Sequence, residues 1–212
     1  MNLIAFGPDI WIADGPSVNA LGPLTLPTRM IVVRLNDGSL WINSPVDVSE
    51  PEMDEVTVLG PVRYLISPTP LHDWRLARWK EHFAQARTWV SRDAPPAEWK
   101  EQLDSVLFAG NALLKEAEFF HRASRTLMIT DFIQNYPRRA GKPLFNAATA
   151  LAGVQGGGVP LDIRLSFLNR AAGRRSLATI LNWNFDRLIL AHGDCLDRDA
   201  KPFVRAAFGW LR

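Results

Sequence analysis

Short apolar runs punctuated by glycine, proline and asparagine dominate the first two thirds of the chain, and apolar residues at helical spacing become commoner in the last third. Leu3–Phe6 and Ile10–Ala13 flank Gly7-Pro8-Asp9 and predict two short strands around a turn. Residues Ser17–Pro27 show no periodicity and predict a loop. Arg29–Leu35 and Leu40–Asn43, joined through Asn36-Asp37-Gly38, predict a hairpin. Ser49 with Glu50 and Glu52 opens a short helix over Pro51–Leu59, and Val62–Ile66 is the next strand before two prolines, Pro68 and Pro70, end it. Leu76, Trp79 and Phe83 lie three and four apart, which predicts an amphipathic helix over Leu71–Ala86. Thr88–Val90 and Ser105–Ala109 are further strand candidates on either side of a polar connection.

The most informative stretch is Glu116–Asp131, read as an apolar-rich strand, a turn at Arg122–Arg125, and a second strand that ends in the carboxylate of Asp131. Arg187–Asp194 repeats the plan: a short apolar strand, then His192 and a glycine turn. Two strands that deliver Asp131 and His192 at their ends define a candidate site if they are neighbours, and two unrelated strand ends if they are not. Between them, Leu144–Leu151 predicts a short helix, and Gly153–Pro160, with three consecutive glycines, a mobile loop at the mouth of a pocket. Leu161, Leu165 and Leu168 predict the core face of another helix, Arg174–Trp183 a further one, and Ala200–Leu211 a last one with Phe203, Ala207 and Trp210 inward.

Composition bounds the function. The chain has 212 residues, 47% hydrophobic and 22% charged, the profile of an ordinary globular protein, and neither a repeat nor a composition break divides it, so one domain is expected. Charges nearly balance, 24 basic against 22 acidic, and no run of like charge forms a nucleic-acid footprint. The single cysteine, Cys195, excludes an internal disulfide and any cysteine-based zinc cage. No signal-like or membrane-spanning run is legible, and a cytoplasmic protein with a small-molecule substrate or ligand, without nucleic-acid or membrane partners, is the expectation.

The order of elements resembles the metallo-β-lactamase superfamily. Leu65-Ile-Ser-Pro-Thr-Pro-Leu-His-Asp sits where that superfamily carries its H-x-H-x-D-H loop, Gly110-Asn111 where its next Gly-His falls, Thr126–Asp131 on the strand of the bridging aspartate, and Leu190-Ala-His-Gly on the final histidine. The segments Pro27-Thr-Arg-Met, Asn43-Ser-Pro and Phe119–Asn135 look more closely like an uncharacterised family within it. The resemblance implies an α/β fold, a four-layer αββα sandwich of two mixed sheets flanked by helices.

The departures bear on function. Pro68, Pro70 and Asn111 stand where three metal-binding histidines are expected, and proline offers a metal only its carbonyl. What carries over is the other half: His72, Asp73, Asp131 and His192 as metal ligands, with Asp73 and Asp131 also as catalytic carboxylates and the loop's histidine and aspartate exchanged in order. Asn111, Glu116 and Asp194 are expected to line the pocket. The implied cofactor is at most one divalent cation (zinc, iron or manganese), or none. The implied function is a degenerate hydrolase of an ester, thioester or phosphoester, the alternative being a non-catalytic binding protein on the same scaffold. Glu116 should lie nearly opposite Asp131 across the hairpin, which calls for a cation or basic side chain nearby. His121 belongs at the far end of its strand, His82 on a solvent-facing helix surface, and Arg170, Arg174 and Arg175 on a solvated helix face.

Overall fold

A computed structural model describes residues 1–19, 25–91, 93 and 96–211. Among the described residues ten strands form two mixed sheets. The first runs in chain order from β1 (Ile4–Gly7) through β2 (Ile10–Asn19), β3 (Thr25–Arg34), β4 (Leu40–Asn43) and β5 (Val62–Ser67) to β6 (Arg87–Val90). Its first four strands are antiparallel, whereas β5 lies parallel to both β4 and β6. The second has the order β10 (Arg187–Leu190), β9 (Thr126–Ile129), β8 (Glu116–His121), β7 (Leu103–Phe108), with only β10 and β9 parallel.

Period-two alternation sorts the strand side chains into layers. Ile31, Val33, Trp41, Tyr64 and Ile66 face Ala117, Phe119, Met128 and Ile189 across the gap between the sheets. Met30, Val32, Leu40, Ile42 and Leu65 turn the other way, against Met53 of α1 (Glu50–Asp54) and Leu76 and Trp79 of α2 (Leu76–His82). On the outer face of the second sheet Phe120, Leu127, Ile129, Leu188 and Leu190 pack against Ile180 and Val204, carried by α5 (Arg170–Asn182) and α6 (Ala200–Ala207). The result is helix, sheet, sheet, helix. Among the described residues no helix is long and apolar enough to cross a membrane.

Several sequence expectations change. Residues 17–19 and 25–27, read as loop, continue β2 and β3 as one long hairpin, whose pairing tolerates a bulge between Gly15 and Val18; residues 20–24 of that expected loop lie outside the described set. The helix expected over Leu71–Ala86 is a 3-10 turn, Pro70–Arg75, followed by the shorter α2, because the proline and the Thr69 cap favour the tighter turn. Leu76 and Trp79 are buried and Phe83 packs on them, as their spacing implied. Leu161, Leu165 and Leu168 do not face the core: α4 is a five-residue helix (Leu161–Leu165), Leu165 and Leu168 are 73% and 82% exposed, and Ile163 is the residue that packs inward. The glycine loop after α3 (Pro143–Leu151) is packed, with Gly156 and Gly158 donating N–H groups to Tyr136 and Gln134. Gly157 and Gly158 serve close approach, since a Cβ would stand 2.2 Å from the Phe203 ring on the first and 2.3 Å from the Gly153 carbonyl oxygen on the second, whereas Gly156 faces open space.

Candidate metal centre

Parallel pairing brings the two strand ends together. Leu190 is in register with Ile129, and each chain runs on two residues, to His192 and to Asp131. Their side chains meet with His192 Nε2 3.1 Å from Asp131 Oδ1. The third group arrives from the other sheet. After β5, Ser67 Oγ donates to the Thr69 carbonyl and the Pro68 carbonyl accepts from Ala117 N–H, which docks the loop onto β8. Thr69 Oγ1 then accepts from Leu71 N–H and donates to Asp131 Oδ2 at 2.9 Å. The 3-10 turn that follows presents His72 Nε2 3.7 Å from Asp131 Oδ1. One ligand atom from each of His72, Asp131 and His192 lies within 4.8 Å of the others, and all three residues are buried.

Burial by itself would raise the Asp131 carboxyl, but bonding to His192 and His72 and their charge outweigh it and hold Asp131 well below the usual carboxylate range. His192 Nδ1 lies 2.7 Å from the Pro27 carbonyl, which can only accept, so Nδ1 carries a hydrogen. Its Nε2 therefore holds either a second proton or a bare lone pair directed at a carboxylate oxygen. A lone pair facing that oxygen at 3.1 Å is repulsive unless a cation lies between them. The residues fit such an ion: with bonds of about 2 Å, donor atoms in a tetrahedral shell stand about 3.3 Å apart, close to the 3.7 and 3.1 Å that separate Asp131 from the two histidines, in a set that lies within 4.8 Å. The outer contacts fit as well, since ligating imidazoles donate their second N–H to a carbonyl and ligating carboxylates accept a further hydrogen bond. Pro27 and Thr69 supply these two contacts, whereas His72 Nδ1 is buried without a partner.

Beneath Asp131 lies a second carboxylate. Glu116 accepts the backbone N–H groups of Thr130, Asp131 and Phe132 at 2.5, 2.9 and 2.9 Å, so one side chain fixes the turn that carries Asp131. Burial pushes the Glu116 carboxyl up to about 8, the charge of Asp131 adding to the rise and the three N–H bonds opposing it. Glu118, on the same face of β8, is fully buried with neither oxygen hydrogen-bonded, and burial with Glu116 beside it raises it well above its ordinary value. The basic side chains expected near the Glu116–Asp131 pair are His72 and His192, and both lie on Asp131. At Glu116 backbone N–H groups do that work.

The other expected site residues lie elsewhere. Asp73 does not join the cluster, because successive residues of a 3-10 turn point about 120° apart, and its Oδ1 is buried without a partner. Asn111 does not line the cavity at His72: its amide donates to Ile163 O and Ser166 Oγ and its oxygen accepts from Leu113 and Leu114 N–H. Glu116 lies under the site and not on its wall, and Asp194 is exposed, held through its backbone to Asn135. His121 is buried on Ser124 Oγ, and burial lowers it to about 4. His82 is not solvent-facing but half-buried and paired with Asp54. The Cys195 thiol is raised by burial and accepts from Arg29. Arg174 bonds the Leu211 carbonyl. Thr69 and the Pro27 carbonyl were missed; neither has a sequence signal. Glu116-x-Glu118 in an otherwise apolar strand could have been found by its alternation.

A cavity of about 280 Å³ opens over the cluster, lined by His72, Asp131 and His192 and by residues of the β2–β3 hairpin and the 3-10 turn.

Solved structures that resemble this chain include metallo-β-lactamases and a diflavin flavoprotein fragment. The metallo-β-lactamase FIM-1 from Pseudomonas aeruginosa in its mono-zinc form aligns over 99% of this chain and 95% of its own, with TM-score 0.64 and 11% identity. An NDM/FIM-1-like metallo-β-lactamase from Erythrobacter litoralis, also mono-zinc, gives 99%, 95%, 0.63 and 12%. A putative diflavin flavoprotein A 5 fragment from Nostoc sp. PCC 7120 gives 99%, 96%, 0.66 and 9%. The fold is the metallo-β-lactamase-like αββα sandwich. The profile of a family described as a domain of unknown function (DUF4336) matches residues 9–100, a stretch that includes His72 and stops short of Asp131 and His192. No curated protein sequence matches the chain.

Proposed function

We propose that this protein is a hydrolase of an ester, thioester or phosphoester that works with one divalent cation (zinc, iron(II) or manganese) held by His72, Asp131 and His192. The observation that carries this reading is the His192 ring, whose Nδ1 is committed to the Pro27 carbonyl while Nε2 faces Asp131 Oδ1. When bound, such an ion lowers the pKa of a water molecule and polarises a carbonyl or phosphoryl oxygen. The chain's own residues orient the site: Thr69 fixes one Asp131 oxygen, Glu116 fixes the backbone behind it, and the Pro27 carbonyl fixes the His192 ring. Among the described residues, two of the positions where a second ion would look for donors are already engaged. The Pro68 carbonyl is taken by Ala117, and Asn111 is spent on the loop around Ser166.

The test is hydrolysis of 4-nitrophenyl acetate, an acyl thioester and 4-nitrophenyl phosphate before chelation, after it, and after zinc is restored. Activity on at least one of them should fall by about 100-fold on chelation and in His192→Ala, and return with the ion in the wild type only. Activity that survives both chelation and His192→Ala refutes the reading.

A further inference from the structure

One wall of the cavity is a buried cation without a counter-ion. Arg75 ends the 3-10 turn that carries His72, and residues three apart on such a turn eclipse one another, so both side chains line the same cavity. Arg75 is only 6% exposed, yet its side chain has no hydrogen-bond or ion-pair partner among the described residues; its Nε is sealed from solvent, so the two terminal guanidinium nitrogens are the donors that a ligand can reach. Its guanidinium stacks 4.1 Å over the Trp74 ring. Asp47, the acid whose charge reaches it, is bonded to Arg78. The half-buried Arg29, by contrast, spends its donors on Asp14, two carbonyls and Cys195. Guanidinium stays charged at neutral pH, and a buried charge calls for a partner. Beyond the three metal-site residues the remaining wall is apolar apart from Thr28, whose hydroxyl donates to the Pro16 carbonyl. Leu71 and Trp74 are 62% and 59% exposed at the rim, and Leu26 reaches in from the hairpin.

We infer that the ligand of this cavity is a small amphiphilic anion, with a carboxylate or phosphonate-type group on the Arg75 fork and an apolar body over Trp74 and Leu71. Resting on the hydrolase reading, this makes the substrate an anionic, apolar ester, thioester or phosphoester whose scissile group lies at His72, Asp131 and His192, and Arg75 the residue that selects it. A planar fork takes such a group through two parallel bonds, which lysine cannot reproduce. The cavity lies near the lower end of the usual range for small-molecule sites, so the body is about one ring in size.

The test is calorimetric titration of the 212-residue chain at pH 7 with benzoate, phenylphosphonate and neutral benzyl alcohol, after chelation and again with zinc added. At least one of the two anions should bind the chelated protein at least about tenfold more tightly than benzyl alcohol, and the stronger of them identifies the group. Arg75→Gln should lose that preference without a change in circular dichroism. Arg75→Lys should keep part of it, and if Arg75→Gln does not fold, a several-fold loss in Arg75→Lys carries the point. Equal binding of anion and alcohol, or unchanged anion binding in either variant, overturns the inference. So does anion binding that requires zinc and is indifferent to Arg75, because the cation is then the receptor. The chelated arm needs no metal, so a failure here is distinguishable from a failure of the metal-dependent reading.

Discussion

The loop at Asn111 and the strand ends at Asp131 and His192 are both polar breaks in an apolar framework, and they use their hydrogen-bonding capacity in opposite ways. Asn111 directs its amide and its oxygen to neighbours within its own turn and the Ser166 loop. Asp131 and His192 are also anchored, by Thr69 and Pro27, but each has one atom left over, and those atoms point at each other and toward His72. A polar residue whose valence is consumed inside the fold supports structure. One that is held in place with an atom to spare is available for chemistry.

Removing the support on each side should separate the two roles. Glu116→Ala leaves three buried N–H donors without an acceptor; a loss of about 3 kcal/mol or more is expected in urea unfolding, together with about tenfold weaker zinc binding, because Asp131 loses its anchor. Asn111→Ala should cost somewhat less, about 2 kcal/mol, and leave zinc affinity unchanged. Weaker zinc binding in Asn111→Ala at constant stability would erase the distinction.

A smaller effect sharpens it through pH. Glu116 and Glu118 both have raised folded values, so the native chain holds protons that the unfolded chain has released. Their contribution to stability is therefore complete below the unfolded value near 4.5 and is lost as pH rises through the folded value, near 8 for Glu116. Asp131, with a lowered value, acts oppositely and only below the usual carboxylate range. Glu118→Gln should flatten the fall in stability as pH rises above the usual carboxylate range, while changing stability at pH 5 by less than about 1 kcal/mol. A slope identical to wild type would show that Glu118 does not carry the proton.

Much of the framework was legible because period-two alternation places residues on sheet faces locally: Ile31 against Val32 and Met128 against Leu127 fall in different layers, as alternation requires. Asp131 and His192 were legible as strand ends. That they meet depends on the parallel register of β9 with β10, a pairing of segments about sixty residues apart that no local pattern encodes. Asp73 was drawn into the site by its neighbour His72, and the geometry of the turn separates them. Arg75 carried no signal, since an arginine in a polar turn reads as solvent-facing until its burial is seen. The glycine loop was read for its freedom, whereas Gly157 is required by the Phe203 ring beside it.

The most direct measurement is the number of zinc ions bound per chain at saturation, by equilibrium dialysis with elemental analysis, in the wild type, His72→Ala, Asp131→Asn and His192→Ala. One ion per chain in the wild type, with affinity reduced by about 100-fold or more in each variant, is the expected result. Two ions per chain, or one ion bound equally well by all four proteins, would contradict a single centre at His72, Asp131 and His192.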